Sequence, residues 1–427
     1  MSRIEVTPGM FSQAEQKKSL KAPIVMAIVT LFAFVFFAIL GPTAVVTFQI
    51  TESDAFVTLP DLALPSNALG YSTAALMVLI TIASLWFGVT KKRVPQMFAI
   101  VYGLVAIVAL LGWLAAGADV PVGFLLGNTL VLALPIILGG MGGIMSERVG
   151  VVNIAIEGQL LTGAFLAAVI GSITGSLWVG VLAAMIGAAL LSTVLASLSI
   201  KYLVDQIIIG VLLNVLVIGV TNFLYSQVIT QNNAGLNFPG TFNRIEIPIL
   251  SQLPIIGDAF FNQGAIVYLT FLIVPALWFV LFRTKLGLRA RAVGEHPLAA
   301  DTVGINVGRT RFWWVTIGGA VAGLGGAAIT VGNVGAFGRE MTGGLGFIAL
   351  AVVILGRWQP LYVSISALLF GFAIIMRIWS NQINPVIPVD FITMVPYLVT
   401  LIAVAGFAGR VRGQLLPASP TKRTKCL

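Results

Sequence analysis

A succession of apolar segments, each about as long as a membrane-spanning helix, constrains the fold of this chain more than any other feature. A helix needs about 20 apolar residues to cross the hydrocarbon core of a bilayer. Of the 427 residues, 58% are hydrophobic and only 9% are charged, whereas about 25% are charged in a typical soluble domain. The alternating pattern of membrane barrel strands is not visible. The sequence therefore predicts an all-α fold, a polytopic transmembrane helix bundle.

About twelve candidate spans can be placed along the chain. One of them, 346–356, is too short to cross the core alone. We expect this segment to be broken or re-entrant, or to continue through Arg357 to Pro360. The candidate spans are 24–40, 68–90, 97–118, 124–145, 152–171, 177–199, 207–225, 265–282, 312–332, 346–356, 361–376 and 391–408.

The distribution of basic residues predicts how these spans are oriented. When the N-terminus is placed in the cytoplasm and the spans alternate, 21 of the 24 lysines and arginines fall in cytoplasmic segments, and Arg244, Arg339 and Arg377 fall on the other side. This is the bias of the positive-inside rule, so we expect both termini in the cytoplasm. Topology and anionic lipid then explain the net charge of +9, and nucleic acid is not an expected partner.

The residue types that catalysis and metal binding most often use are scarce. The chain has one histidine, His296, and one cysteine, Cys426, so we expect no metal site, no disulfide framework and no catalytic residues. No GxxxxGK[ST] motif occurs, and the chain is therefore not expected to bind ATP through a P-loop of its own. A pore or transport path is the expected function.

The longest polar interval on the predicted cytoplasmic side runs from Arg283 to Arg311. Within it, Pro297 and Gly304 bracket a short amphipathic segment. Proline favours the first position of a helix and glycine the residue after its end, and Glu295 lies where the helix dipole favours an anion. We expect a helix of about two turns, which is too short to be stable alone in water. The rest of the protein, or a docked partner, must hold it.

Polar residues interrupt the apolar sequence at 139–165. Asn153 and Glu157 are four residues apart and are expected to share a helix face. A buried carboxylate such as Glu157 costs about 3 kcal/mol unless it faces partners or water. Two interpretations stay open, because these residues could pin neighbouring helices or border a translocation path. Asn128 and Asn214 are further polar residues within spans, where such residues are more often packing contacts.

Glycine-rich stretches predict close helix packing and a second break. Gly319 and Gly323 form a small-xxx-small pair. At 343–360, GGLGFIALAVVILGRWQP couples glycines to a short apolar segment, and irregular backbone at membrane depth is tolerated only where it faces protein or water. Together with 139–158, this gives one interrupted segment in each half of 124–408. Such pairs favour a site near the membrane midplane.

Three of these stretches resemble the permease subunits of bacterial ABC importers, in the branch that serves simple sugars, nucleosides and branched-chain amino acids. ERVGVVNIAIEGQLLTGAF is similar to the opening motif of that branch, and RAVGEHPLAADTVGIN resembles its cytoplasmic loop, which docks onto the ATPase. GLGFIALAVVILGRWQP is most similar to the nucleoside-type members. The resemblance covers about 124–410 and does not extend to 1–120.

The resemblance implies a domain organisation and a set of site residues. Residues 1–120 would be an extension of about three transmembrane helices, 121–410 the permease core with a coupling loop at 283–311, and 411–427 a basic, disordered tail. Small Ala299 and Ala300 would let the short helix enter a groove of the ATPase. The coupling residues expected from the loop are Arg291, Gly294, Glu295, Pro297, Ala299, Ala300 and Gly304. The candidate residues of a substrate path are Asn128, Asn153, Glu157, Asn214 and Phe347.

The resemblance also implies partners and a cellular location. We expect a transport subunit of the bacterial plasma membrane, without a cofactor of its own, that works with an ABC ATPase carrying ATP and Mg. A second, related permease forming a heterodimer and an extracellular substrate-binding lipoprotein would complete the importer. A path offering Asn and Gln with little charge fits a neutral, hydrogen-bonding solute, and nucleosides are the expected substrate. The alternatives are a permease for simple sugars or branched-chain amino acids, an ion-coupled secondary transporter using Glu157, and a scaffolding membrane protein.

Overall fold

The computed structural model describes residues 21–50, 60–90, 95–254, 256–383 and 394. The described residues divide into one compact unit of 21–50, 60–90, 95–121 and 382–383 and a second of 122–254, 256–381 and Met394. The candidate span 391–408 and the predicted tail 411–427 lie outside the described residues, apart from Met394.

Three helices and a small sheet form the described part of the first unit. Thr30, Thr81 and Tyr102, one from each helix, meet in its interior: the Thr30 hydroxyl lies 3.0 Å from that of Thr81 and 2.9 Å from that of Tyr102. This junction joins helices whose other side chains are mostly apolar. The helices are α1 (Lys21–Ala33, continued by the π-helical Phe34–Ile39), α2 (Ser66–Val89) and α3 (Gln96–Leu114).

The sheet of the first unit corrects the all-α prediction. Strand β1 (Val45–Gln49) pairs antiparallel with β2 (Leu62–Pro65) and parallel with β3 (Asp119–Pro121). The side chain of Gln49 donates a hydrogen bond of 3.1 Å to Asp119 across the parallel pair. The described part of the fold is therefore mostly helical, with short strands in the connections between helices.

The second unit is built from long helices joined by short connections. Its long elements are α4 (Val122–Glu147), α5 (Ile156–Thr174), α6 (Leu177–Ala196), α7 (Gln206–Leu224), α10 (Ala265–Arg283), α13 (Val307–Ile329) and α15 (Pro360–Ile383). The shorter helices are α8 (Asn233–Leu236), α9 (Ile256–Phe261), α11 (Lys285–Glu295), α12 (Pro297–Thr302) and α14 (Leu345–Leu355), and strands β4 (Arg244–Glu246) and β5 (Asn262–Gly264) pair antiparallel.

Nine helices within the described residues are long and apolar enough to cross a membrane. Two shorter apolar helices, Pro23–Ile39 and Leu345–Leu355, coincide with two further predicted spans. With 11 residues, α14 is about 16 Å long, roughly half the thickness of the hydrocarbon core. The predicted shortness of this segment is thus confirmed, whereas the total of twelve spans, a re-entrant path for this segment and the side of each terminus stay predictions.

Glycines allow the central helices of the second unit to approach closely. Among the spanning helices, α13, α4 and α5 are the most buried. A Cβ atom on Gly142 or on Gly318 would collide with the backbone carbonyl of the other residue, so α4 and α13 touch through their main chains. Gly319 and Gly323 contact α6 in the same way, which confirms the predicted small-residue packing.

One end of the second unit gathers its basic connections. The α4–α5 connection packs there against helices α11 and α12. The end of α6 and the N-terminal parts of α7 and α13 join the same apolar cluster, which includes Val149, Val151, Ala290 and Val293. We call this region, which carries Arg148, Lys201, α11, α12 and Arg357, the basic end. It brings together the connections that the positive-inside rule predicts to share one side of the membrane.

Candidate functional site

Helix α12 has the ends that the sequence predicts. Pro297 is its first residue, and Gly304, with φ of +83°, follows its end. The backbone N–H of Gly304 donates to the carbonyl of Asp301 at 2.9 Å and that of Ile305 to Ala300 at 3.0 Å, which is the Schellman pattern that closes a helix. The short helix is therefore confirmed, with six residues.

Two of the predicted coupling residues face the interior of the chain. Ala300 is only 3% exposed and packs among Val149, Val293 and Val315. A Cβ atom on Gly294 would collide with the carbonyl oxygen of Arg148. The face of α12 that carries Ala300 therefore already packs against this chain, and the coupling role of Ala300 stays a prediction.

The outward face of the same region is apolar. Leu298 and Val303, at the two ends of α12, are 71% and 74% exposed, and Leu286 and Leu288 of α11 are about as exposed. Exposed large apolar side chains on polar, basic segments are candidates for an interaction surface. We call these four residues the coupling surface. Three predicted coupling residues lie exposed beside it: Glu295, Ala299 and Gly304.

Two arginines share one aromatic ring beside the coupling surface. The guanidinium of Arg291 lies 5.2 Å and that of Arg148 5.7 Å from the centre of the Phe282 ring, which is within the range of cation–π attraction. Burial and the nearby Arg291 lower the pKa of Arg148, and Glu295 acts in the opposite direction. The coupling roles of Arg291 and half-buried Pro297 stay predictions.

Asn153 and Glu157 do not share a helix face, contrary to the prediction. Helix α5 begins at Ile156, and Asn153 lies in the irregular connection before it. Asn153 and Gln159, both fully buried, exchange side-chain hydrogen bonds of 3.1 and 3.2 Å. A polar pair thus replaces the predicted helical turn, because the chain is folding back after Gly150, where φ is +82°.

The other predicted asparagines are also bonded within the protein. Asn214 of α7 accepts from the backbone N–H of Gly158 at 2.8 Å and donates to the carbonyl of Ile154 at 2.9 Å. Asn128 donates to the carbonyl of Phe124, one turn earlier in α4, at 2.9 Å. The contacts of Asn214 favour the helix-pinning interpretation for that residue, whereas the bond of Asn128 lies within its own helix. Their place in a substrate path stays a prediction.

Glu157 caps the first turn of α14. Its carboxylate is 5% exposed and accepts hydrogen bonds from the Thr342 hydroxyl at 2.6 Å and from the backbone N–H groups of Gly344 at 2.9 Å and Gly346 at 2.6 Å. The N-terminus of a helix has free N–H groups and favours an anion. Phe347 lies in the same first turn and is 51% exposed.

Arg148 holds the turn that follows α14, whose last helical residue is Leu355. The guanidinium donates from Nε and Nη2 to the carbonyl of Trp358, at 3.3 and 2.9 Å. The indole N–H of Trp358 donates in turn to Glu147. A cation near a helix C-terminus is as favourable as an anion at its N-terminus. Glu157 thus meets the N-terminal end of α14, whereas Arg148 and Glu147 both meet Trp358 after its C-terminal end.

A cavity of about 340 Å³ lies between α4, α13, α14 and α15. Polar groups reach it from Asn333, Thr342 and Arg377, whereas none of the five predicted path residues lines it. Thr342, which bonds to Glu157, connects the cavity wall to the cap of α14. The apolar lining comes from Val131, Leu132, Pro135, Ala328, Ile329, Leu345, Ile348, Phe370, Ala373 and Ile374.

Comparison with known proteins assigns the family. The sequence profile described as "Branched-chain amino acid transport system / permease component" matches residues 125–404. The chain belongs to this permease family. The match contains the α4–α5 connection, α11, α12 and α14, and it leaves the N-terminal 124 residues outside.

Curated members of the permease family share substantial identity with the chain. The guanosine ABC transporter permease protein NupQ of Bacillus subtilis (strain 168) is 39% identical over 294 residues, which are 66% of this chain and 91% of NupQ. The putative glucose ABC transporter permease protein TsgC13 of Haloferax volcanii is 37% identical over 260 residues, 61% of this chain and 78% of TsgC13. A second guanosine permease of B. subtilis, NupP, is 27% identical over 304 residues, 68% of this chain and 84% of NupP. No solved structure gives a significant match.

Membership in the permease family confirms the resemblance seen in the three motifs. The chain is a multi-pass membrane protein and a transport subunit of the ABC permease type. Two different guanosine permease proteins of B. subtilis, NupQ and NupP, are thus similar to this chain.

Proposed function

We propose that this chain is the permease subunit of an ATP-binding-cassette importer that admits nucleosides, driven by ATP hydrolysis on a separate subunit. The observation that carries the proposal is the coupling surface on α11 and α12, four exposed apolar side chains on short helices at the basic end of a family permease. Because the chain has no P-loop of its own, an ATPase must bind it through a surface of this kind if ATP hydrolysis is to drive its conformational change.

The coupling surface has the chemistry of a docking site. Leu298 and Val303 can enter an apolar groove, while Glu295 and Arg289, both exposed, stand at its edge. Interfaces of this kind combine a buried apolar centre with a polar rim that sets register. The inward packing of Ala300 and Gly294 holds the two helices against the rest of the chain, so a push on α12 is carried into the bundle.

The cavity, whose lining is apolar apart from Asn333, Thr342 and Arg377, supports a small amphipathic solute. A volume of about 340 Å³ falls in the lower part of the range for small-molecule sites, about 300–1,000 Å³. Its apolar walls suit the faces of a nucleobase, and the exposed Asn333 offers hydrogen bonds to ring edges or sugar hydroxyls. Few polar groups are needed here, because high affinity would belong to the binding protein that delivers the solute.

The partners follow from the same arrangement. The basic end would lie in the cytoplasm with both chain termini, beside an ABC ATPase that binds ATP and Mg and next to anionic lipid headgroups. A second, unlike permease would complete the membrane unit, as NupP and NupQ suggest. An extracellular substrate-binding lipoprotein would deliver the solute from outside the bacterial plasma membrane.

Ion-coupled transport through Glu157 is less well supported. Its carboxylate accepts three hydrogen bonds from Thr342, Gly344 and Gly346, and these donors occupy much of its capacity to bind a proton or sodium ion. A sugar permease is the better second candidate, since TsgC13 is nearly as similar as NupQ.

Competition in whole cells tests the substrate. A strain deleted for this gene and the same strain complemented with it are compared for uptake of labelled guanosine, with unlabelled nucleosides, glucose or leucine in excess. We expect uptake only in the complemented strain and competition only by nucleosides. Absence of gene-dependent guanosine uptake would contradict the proposal, and gene-dependent uptake of labelled glucose or leucine instead would move it to one of the other two substrate classes.

A further inference from the structure

We propose that residues 148–157, which we call the connector, transmit movement from the coupling surface to the cavity wall by gripping both ends of α14. Arg148 and Glu157 are then positioning residues, which act on the solute through α14 and touch it nowhere. This inference rests on the proposed function and specifies which part of the chain carries the coupling.

Helix α14 is a separate rigid piece. It has 11 residues, too few to span the hydrocarbon core. Left-handed backbone flanks it on both sides, at Gly343 and Gly344 before it and at Arg357 and Trp358 after it. Such changes of backbone direction at both ends allow the helix to shift as a unit, as hinge residues do in other proteins.

The connector holds this piece at its two ends. Glu157, at the C-terminal end of the connector, accepts from the N–H groups of Gly344 and Gly346, and Arg148, at the other end, donates twice to the carbonyl of Trp358. Bonds to charged groups are about twice as strong as neutral ones. A displacement of the connector therefore carries α14 with it more easily than it breaks these contacts.

The connector contacts helices α11 and α13 at the basic end. Gly294 of α11 approaches the carbonyl of Arg148 so closely that a Cβ atom would not fit. Arg311 of α13 donates to the carbonyl of Val149 at 2.9 Å. Since tightly packed contacts transmit strain, α11 cannot move toward the bundle without moving residue 148.

The movement of the connector acts on the wall of the cavity. Thr342 and Gly343 precede α14 and line the cavity, as do Leu345 and Ile348 within it. The Thr342 hydroxyl bonds to Glu157 at 2.6 Å. Helix α7 supports the same parts, because its Asn222 donates to Glu340 of this loop at 2.9 Å while Asn214 bonds to the connector. Movement of the connector thus changes the shape of the solute path.

The test measures solute moved per ATP hydrolysed in the complete reconstituted transporter. Glu157→Gln keeps the size of the side chain but removes its charge and one of its two acceptor oxygens, and Arg148→Gln shortens the side chain and removes its charge and the guanidinium donors. Asp205→Asn is the control, because Asp205 caps α7 in the same manner without touching α14. We expect both connector variants to assemble and to hydrolyse ATP within twofold of wild type, with the ratio of uptake to hydrolysis reduced at least tenfold. The control should keep the wild-type ratio.

Two further variants separate positioning from general support of the fold. Arg148→Lys retains the positive charge and should recover the ratio to within threefold of wild type. The double variant with Gln at 148 and 157 should fall no more than twofold below the worse single variant, because releasing either end already frees α14. Losses that multiply would show two separate local effects and overturn the proposal.

The remaining outcomes are equally decisive. An unchanged ratio in Glu157→Gln and Arg148→Gln would overturn transmission through the connector. A parallel loss of assembly, hydrolysis and uptake in all connector variants would show a purely structural role, with the same consequence. If the wild-type complex itself fails to couple ATP to uptake, the proposed function is what fails, and this result is distinguishable from the others.

Discussion

Trimming the outward face of α12 should weaken ATPase binding without loosening the permease. Leu298 and Val303 are 71% and 74% exposed, so most of each side chain is free to be covered by a partner. Full burial of a leucine or valine side chain stabilises by about 1.5–3 kcal/mol. Truncation to alanine removes most of the side chain and should cost roughly 1 kcal/mol of binding at each position. The double variant should lose about 2 kcal/mol, close to a 30-fold increase in Kd.

The assay is a titration of the purified permease, held in lipid nanodiscs, with its ATPase subunit. Leu272→Ala is the matched control, since Leu272 is 66% exposed but lies on the spanning helix α10. The thermal stability of the isolated permease should hardly change, because substitutions at exposed positions usually alter stability by less than about 0.5 kcal/mol. A change in Kd below threefold for the double variant, or an equal change in the control, would refute a docking site on α12.

Three further predictions concern the inside of the bundle. Ala300→Trp should lower the Tm of the permease alone, because the larger side chain would have to displace the core around the connector; an unchanged Tm would mean that this face of α12 is free. Gly326→Ala places a Cβ against the carbonyl of Leu160 and should destabilise the permease by about 1–3 kcal/mol. Gly219→Ala is the control, because its Cβ would meet no atom within 4 Å. Thermal unfolding of the two variants should show a lower Tm only for Gly326→Ala. Ala373→Phe should fill the cavity and block uptake with ATPase binding intact, while Ile365→Phe, on the exposed side of the same helix, should transport normally.

The helices could be predicted from the sequence because membrane depth sets a length that apolar segments reveal directly. Gly319 and Gly323 likewise indicated close packing by their spacing. The sheet of β1, β2 and β3 could not be predicted, since each strand has only three to five residues and its partners are distant in the chain. The glycines of the sequence reveal the break before α5. They do not reveal at which residue the break ends, and for that reason the sequence predicts Asn153 on a helix that in fact begins three residues later.

The candidate site was predictable where the signals are local. Pro297 and Gly304 define α12 by their own backbone preferences. Which side of α12 packs inward depends on contacts with Val149 and Val315, and a six-residue helix carries too little periodicity to reveal it. Asn333 and Thr342 were missed as cavity residues, although both lie next to glycines beside the predicted break, which is the signal that could have found them.

Transport in proteoliposomes tests the central claim most directly. Vesicles containing the complete complex, with loaded binding protein outside and ATP inside, are compared with vesicles containing this chain alone under an imposed proton or sodium gradient. We predict accumulation of labelled nucleoside only with the complex and ATP, and its loss when Leu298 and Val303 are both replaced by aspartate. Accumulation by the chain alone, driven by an ion gradient, would contradict the account.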